Sequence, residues 1–117
     1  MAGLGINIQI NPPTPFPAAI AGNATYDSGV FMSPGPSISI GYKAAGATSY
    51  TFTRYLDAAK TLPATAAATG TGTGGTAKVI SVNDGVAWLY GDLTITDTSG
   101  VANAISSATI VVCEGGH

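Results

Sequence analysis

Acid–base and nucleophilic catalysis draw on histidine, cysteine, lysine and paired carboxylates. This chain of 117 residues has few of them: one histidine, one cysteine, four Lys and Arg together, and six Asp and Glu together. The histidine, His117, follows Gly115 and Gly116, which offer no scaffold to hold it. Cys113 ends the run Thr109-Ile110-Val111-Val112-Cys113 and is followed by Glu114. With an acid rather than a base beside it, this thiol reads as a small buried hydrophobe. Ser–His–Asp, Cys–His and zinc sites built from one chain are therefore not expected, and a single cysteine excludes an internal disulfide. The Thr-Gly-Thr-Gly-Gly stretch at 71–75 lacks the lysine of a phosphate loop, so no nucleotide and no other cofactor is expected.

The acids are Asp27, Asp57, Asp84, Asp92, Asp97 and Glu114. Asp84 and Asp97 flank one strand-like stretch and should lie roughly 30 Å apart at about 3.3 Å per residue, too far to share one cation. No spacing marks a carboxylate pair for glycoside chemistry. These acids read as turn-forming and solubilising groups, and neither an enzyme nor a metal centre is expected. Arg54 is expected to pair with Asp57 or with an acid on a contacting chain. The remaining candidates are aromatic. Tyr50, Trp88 and Tyr90, near Phe52 and Tyr55, either fill the core or form a ligand face on which a sugar could stack.

The elements that would carry these residues are strands. Ile6, Ile8 and Ile10 alternate with Asn7, Gln9 and Asn11, and Ile38, Ile40 and Tyr42 alternate with small polar residues. Period two is the mark of a strand with one apolar face. The stretches 25–32 (with a bulge at Gly29), 48–55, 77–82, 86–96 and 105–113 read the same way. Asn83-Asp84-Gly85 is expected to turn a tight hairpin, and 56–62 a single helical turn. The 64–75 segment holds only Ala, Thr and Gly and is expected to be a mobile loop. Together these predict an all-β chain: an antiparallel β-sandwich of about seven strands, Ig-like or jelly-roll-like. Residues 1–23 form an extended arm, 24–113 the sandwich and 114–117 a tail. Pro12, Pro13, Pro15 and Pro17 stiffen the arm. Such an arm either wraps its own core with Phe16 or lies on a neighbouring subunit, in which case Ile6, Ile8, Ile10, Pro12, Pro13, Pro15 and Phe16 are the contact residues.

Composition narrows the functional classes. Charged residues are 9% of the chain, against roughly a quarter in ordinary domains. Gly, Ala, Ser and Thr make up about half of it, and the formal net charge is −2. Four basic residues cannot track a phosphate backbone, so nucleic acid is not an expected partner. The first residues lack a basic, apolar leader, and no apolar run approaches the roughly 20 residues of a membrane span, so no membrane association is expected.

The segments Ile40-Gly41-Tyr42-Lys43, Thr53-Arg54-Tyr55-Leu56-Asp57 and Val82-Asn83-Asp84-Gly85, in a low-charge Ala/Gly/Thr/Ser chain with a proline-rich start, resemble short tailed-bacteriophage virion proteins. The resemblance implies a non-enzymatic capsid decoration (cement) protein, made in the host cytoplasm and carried on the virion. It would bridge major capsid protein or other virion subunits, as a dimer or trimer. A tail or fibre accessory, or a carbohydrate-binding module, is the alternative.

Overall fold

The computed structural model describes residues 6–33 and 35–114. The described residues are all-β, ten strands in two antiparallel five-stranded sheets. Sheet one contains β1 (Ile6–Ile10), β2 (Ala19–Ile20), β5 (Ser37–Ala44), β8 (Ala77–Val82) and β10 (Asn103–Glu114). Sheet two contains β3 (Thr25–Asp27), β4 (Phe31–Met32), β6 (Thr48–Tyr55), β7 (Ala68–Gly72) and β9 (Tyr90–Asp97). The first runs in the order β1-β10-β5-β8, with β2 on the other end of β10. The second runs β3-β9-β6-β7, with β4 further along β9. Each sheet thus has one edge line made of two short strands, β1 and β2 in sheet one, β3 and β4 in sheet two.

Alternation on the long strands builds the interior. Ile38, Ile40, Tyr42 and Ala44 of β5, Ile110 and Val112 of β10, Phe52 of β6, and Leu93 and Ile95 of β9 all point between the sheets and are buried. Phe31, Phe52 and Trp88 make one aromatic group, with Phe52 stacked on Phe31 at 6.3 Å and edge-on to Trp88 at 5.8 Å. Gly91 faces it, and a Cβ there would stand 2.9 Å from both phenyl rings. A polar bond crosses between the sheets in this interior, Tyr42 Oη to Thr48 Oγ1 at 2.7 Å.

Several expectations change at this level. The 64–75 stretch is not a loop throughout, because β7 pairs with β6 from Thr48↔Gly72 to Phe52↔Ala68. Backbone bonding needs no large side chain, and Gly70 leaves room for the Tyr50 ring that a Cβ would strike. Asn83-Asp84-Gly85 does not turn a hairpin, since β8 pairs with β5 and β9 with β6 in the opposite sheet. The strand expected from Val86 starts only at Tyr90. Residues 56–62 form a turn held by the Asp57 carboxylate, which accepts from the amides of Thr61 and Leu62 and from the Thr61 hydroxyl. The single strand expected over 25–32 with a bulge at Gly29 is instead two short strands, β3 and β4, broken at 28–30, where Gly29 takes φ +75°.

The proline-rich segment lies on its own chain. β1 runs beside β10 from Ile6↔Glu114 to Ile10↔Ile110. Residues 12–17 then cross the open side of the sandwich. Thr14 N–H donates to Ser28 O at 2.9 Å, and Tyr26 Oη donates to Thr14 O at 2.5 Å. The Phe16 ring packs 5.1 Å from that of Tyr26. The expected 114–117 tail, His117 included, lies outside the described residues except for the backbone of Glu114.

One end of the sandwich is closed by two buried polar side chains. Asp97 Oδ2 accepts from the amides of Asn23 and Gly100, both at 2.9 Å. Its Oδ1 accepts from Ser99 Oγ at 2.6 Å and Asn103 Nδ2 at 3.0 Å. Asn103 Oδ1 accepts from Gly46 N–H at 2.8 Å, and its Nδ2 also donates to Ala47 O at 3.2 Å. Three loops, 21–24, 45–47 and 98–102, are joined through these two residues. Asn103→Ala would strand the Gly46 amide and take one donor each from Asp97 Oδ1 and Ala47 O. It should lower the unfolding free energy by about 2–3 kcal/mol in urea titrations, whereas Ser106→Ala on the exposed part of the same strand should change it by less than about 0.5 kcal/mol.

Candidate functional site

The outer face of sheet two carries residues that alternate with the buried Tyr26, Phe52, Leu93 and Ile95. Thr25, Thr96, Ser49 and Thr71 are neighbours across four strands, followed by Asp27, Thr94, Thr51 and Thr69. The next row holds Asp92 and Thr53, and the last holds Met32, Tyr90 and Tyr55. The face is a hydroxyl field bordered by an acidic pair and then by an apolar end.

Asp92 is only 8% exposed although it lies on this outer face. Lys60 reaches over it from the 56–62 turn, with Nζ 3.1 Å from Asp92 Oδ2. Lys60 sits in the left-handed region, φ 60°, a conformation stabilised by the Asp57-capped turn around it. Asp92 Oδ1 is buried without a hydrogen-bond partner among the described residues. Burial, followed by the nearby Asp27 carboxyl, pushes the Asp92 carboxyl up, while Asp27 is held down by its contact with Asp92. Burial and the same two acids push the Tyr26 hydroxyl up to about 12.

Beyond this pair the sandwich ends in exposed apolar groups. Met32, Leu56, Leu62 and Leu89 are between 47% and 64% exposed. The backbone draws them to one end. Met32 and Tyr90 are cross-strand partners, as are Tyr90 and Tyr55. Leu89 N–H donates to Tyr55 O at 3.0 Å, and Leu56 N–H to Leu62 O at 2.9 Å. Arg54 ties β6 to the 83–89 segment at this end through a two-pronged pair with Asp84, Nη1 to Oδ1 at 2.8 Å and Nη2 to Oδ2 at 2.7 Å. That pair replaces the expected partner Asp57 and holds the Asp84 carboxyl well below the usual carboxylate range. Trp88 Nε1 donates to Pro36 O at 2.9 Å, tying the 33–36 and 83–89 loops.

The three aromatic candidates separate. Trp88 is 5% exposed and belongs to the core, so it offers no ligand face. Tyr50 packs against the same core, with Lys78 Nζ 5.5 Å above its ring. Only Tyr90 lies on an outer face, and its companion is Tyr55. The contact candidates Ile6, Ile8, Ile10, Pro12, Pro13, Pro15 and Phe16 lie along one side of the molecule, with Ile6 60% exposed and Phe16 turned inward. Cys113 is half-buried on the outer face of sheet one rather than in the core. The acidic pair and the apolar end were not legible as sites in the sequence. Met32 ends β4, Leu89 precedes β9, and Leu56 and Leu62 bound the 56–62 turn, so no local spacing joined them.

Among the described residues no three His, Cys, Asp or Glu side chains lie together as a metal-binding group. No family model, no curated protein and no solved structure matches this chain.

The carboxylates make stability depend on pH with two signs. Asp84 and Asp97 have depressed values, so their contribution is complete above the unfolded value of about 4 and is lost as pH falls below it. Asp92 has a raised value, so its contribution is present at low pH and is lost as pH rises through its folded value. Asp92→Asn should therefore melt higher than the parent at pH 7, with the gap closing toward pH 3. Asp84→Asn should melt lower at pH 7 and show a shallower acid limb. Melting curves across pH 3–8 read both.

Proposed function

We propose that this chain is a non-enzymatic structural protein that works by lying against other subunits, and that its place is a virus particle, where it acts as a capsid decoration protein. The observation that carries the reading is the apolar end formed by Met32, Tyr55, Leu56, Leu62, Leu89 and Tyr90. Exposed apolar groups gathered in one place mark contact sites rather than ordinary surface. The scarcity of charge on the sheet faces around it supports the same reading, since few ionic groups have to be desolvated on contact.

The strand order also favours it. With β1/β2 and β3/β4 each taken as one interrupted strand, eight strands run 1-8-3-6 in one sheet and 2-7-4-5 in the other. This order supports the jelly-roll reading over the Ig-like one, and jelly rolls serve in viral capsids and lectins. Contact through the apolar end and along residues 6–16 would bridge neighbouring capsid subunits. Each bridge would gain about 25 cal/mol per Å² of apolar area buried, less the cost of ordering the groups.

Particles from the source culture, banded on a density gradient and probed with antibody to this chain, should carry the protein in the particle fraction. Finding it only in the soluble fraction refutes the virion assignment. The double substitution Met32→Glu and Leu89→Glu should lower rebinding of purified protein to stripped particles at least tenfold, with a change in unfolding free energy of less than about 1 kcal/mol.

A second reading has one specific observation behind it. Tyr55 and Tyr90 are adjacent on an outer sheet face beside Thr53, Asp92 and Lys60, a setting in which a sugar ring could stack on the tyrosines and hydrogen-bond to their neighbours. On this reading a glycan array shows binding that Tyr90→Ala removes and Trp88→Phe leaves unchanged. No binding to any glycan ends it.

A further inference from the structure

The two parts of the proline-rich segment are held very differently. Its second part is anchored. Thr14 bonds Ser28 and Tyr26, Phe16 packs on Tyr26, and β2 pairs with Asn103 and Ala104 while burying Ile20. Its first part, β1, is five residues long and pairs with β10 alone. Ile6 stands 60% exposed at its start, and Ile8 and Ile10 are only half-buried. Between the two parts stand Asn11, Pro12 and Pro13. Two of these three residues have no amide hydrogen, and their φ angles are set by the ring. A weakly held edge strand is thus joined by a short, stiff link to a firmly held strap.

We propose that β1 is an exchangeable strand, which in an assembled pair leaves the β10 edge of its own chain and adds to the same edge of a second copy. The proposal rests on the reading of this chain as a protein that works against other subunits, and it names the chain itself as the first of them. Departure of β1 uncovers the backbone edge of β10 opposite 6–10 and the flank of Ile110 and Val112. A strand that refills the gap must be antiparallel and uncharged, and must set an apolar side chain at every second position. The β1 of a second copy meets this by identity, with Ile8 opposite Val112 and Ile10 opposite Ile110 as before. Exchange remakes the contacts it breaks, so little opposes it beyond the cost of association, and a stiff hinge favours the extended form. With only three residues before the Thr14 anchor, spanning about 10 Å, the two β10 edges must lie close together.

The native thiol provides the test. Asn7 and Cys113 are direct partners across β1 and β10, and both face outward. The full-length Asn7→Cys variant is purified reduced, oxidised at the concentration where light scattering gives its mass, and run without reductant. Exchange predicts a covalent dimer at twice the 11.5 kDa chain mass, with peptide maps joining residue 7 of one copy to Cys113 of the other. A monomer closed by its own disulfide overturns the proposal. If no disulfide forms, the unmodified chain decides. A dimer that Pro12→Gly with Pro13→Gly converts mostly to monomer supports exchange, and a monomeric parent or an unaffected dimer overturns it. A variant locked as a closed monomer that still binds particles would end the exchange and leave the structural reading standing. Absence of the protein from particles would end that reading whatever the disulfide shows.

Discussion

The fold depends on pinning its loops at the two ends of the sandwich. Apart from the interrupted edge strands and the β6–β7 hairpin, every connection carries the chain from one sheet to the other. Such connections gain nothing from strand pairing, and this chain has few large apolar groups with which to bury them. Polar side chains do the pinning. Asp97 and Asn103 gather three loops at one end, and Arg54 with Asp84, aided by the Trp88 indole, gathers two at the other. At the Asp97 end the groups are buried and nearly every lone pair is used, the condition under which a polar network stabilises a fold rather than weakening it.

This use of polar groups accounts for the surface. The described aspartates are committed: Asp97 and Asp84 to loops, Asp57 to its own turn, and Asp27 and Asp92 to each other with Lys60. Arg54 and Lys60 are likewise occupied. Little charge is left on the sheet faces, which present hydroxyls, small side chains and, at one end, bare leucine, methionine and tyrosine. A chain that spends its few ionic groups on internal ties has a surface that is easily desolvated, and the proposed life among other subunits follows from that chemistry.

Much of the sheet framework was legible because period-two alternation is strong in this chain. Ser37–Ala44, Thr48–Tyr55 and the C-terminal strand fall where their patterns place them, and Ile110 and Val112 face inward as their spacing requires. The pattern misled where an element is held by backbone alone. Ala68–Gly72 has no apolar alternation, yet it pairs along five residues because the exposed edge of β6 accepts any extended backbone. Asp-Gly at 84–85 reads locally as a hairpin turn, but Asp84 is drawn to Arg54, thirty positions earlier in the chain, and the segment crosses between sheets instead.

The sequence by itself determined the all-β class, the direction in which most core residues face and the poverty of reactive groups, because each depends on composition or on spacing of one or two residues. Tertiary structure alone decided which strands share a sheet, that Trp88 and Tyr50 turn inward while Tyr90 turns outward, and that Asp27 meets Asp92. It also decided that four exposed apolar residues from positions 32 to 89 share one end. These are pairings between residues tens of positions apart. They are settled by which sheet edges and faces meet, and local chemistry carries no record of that.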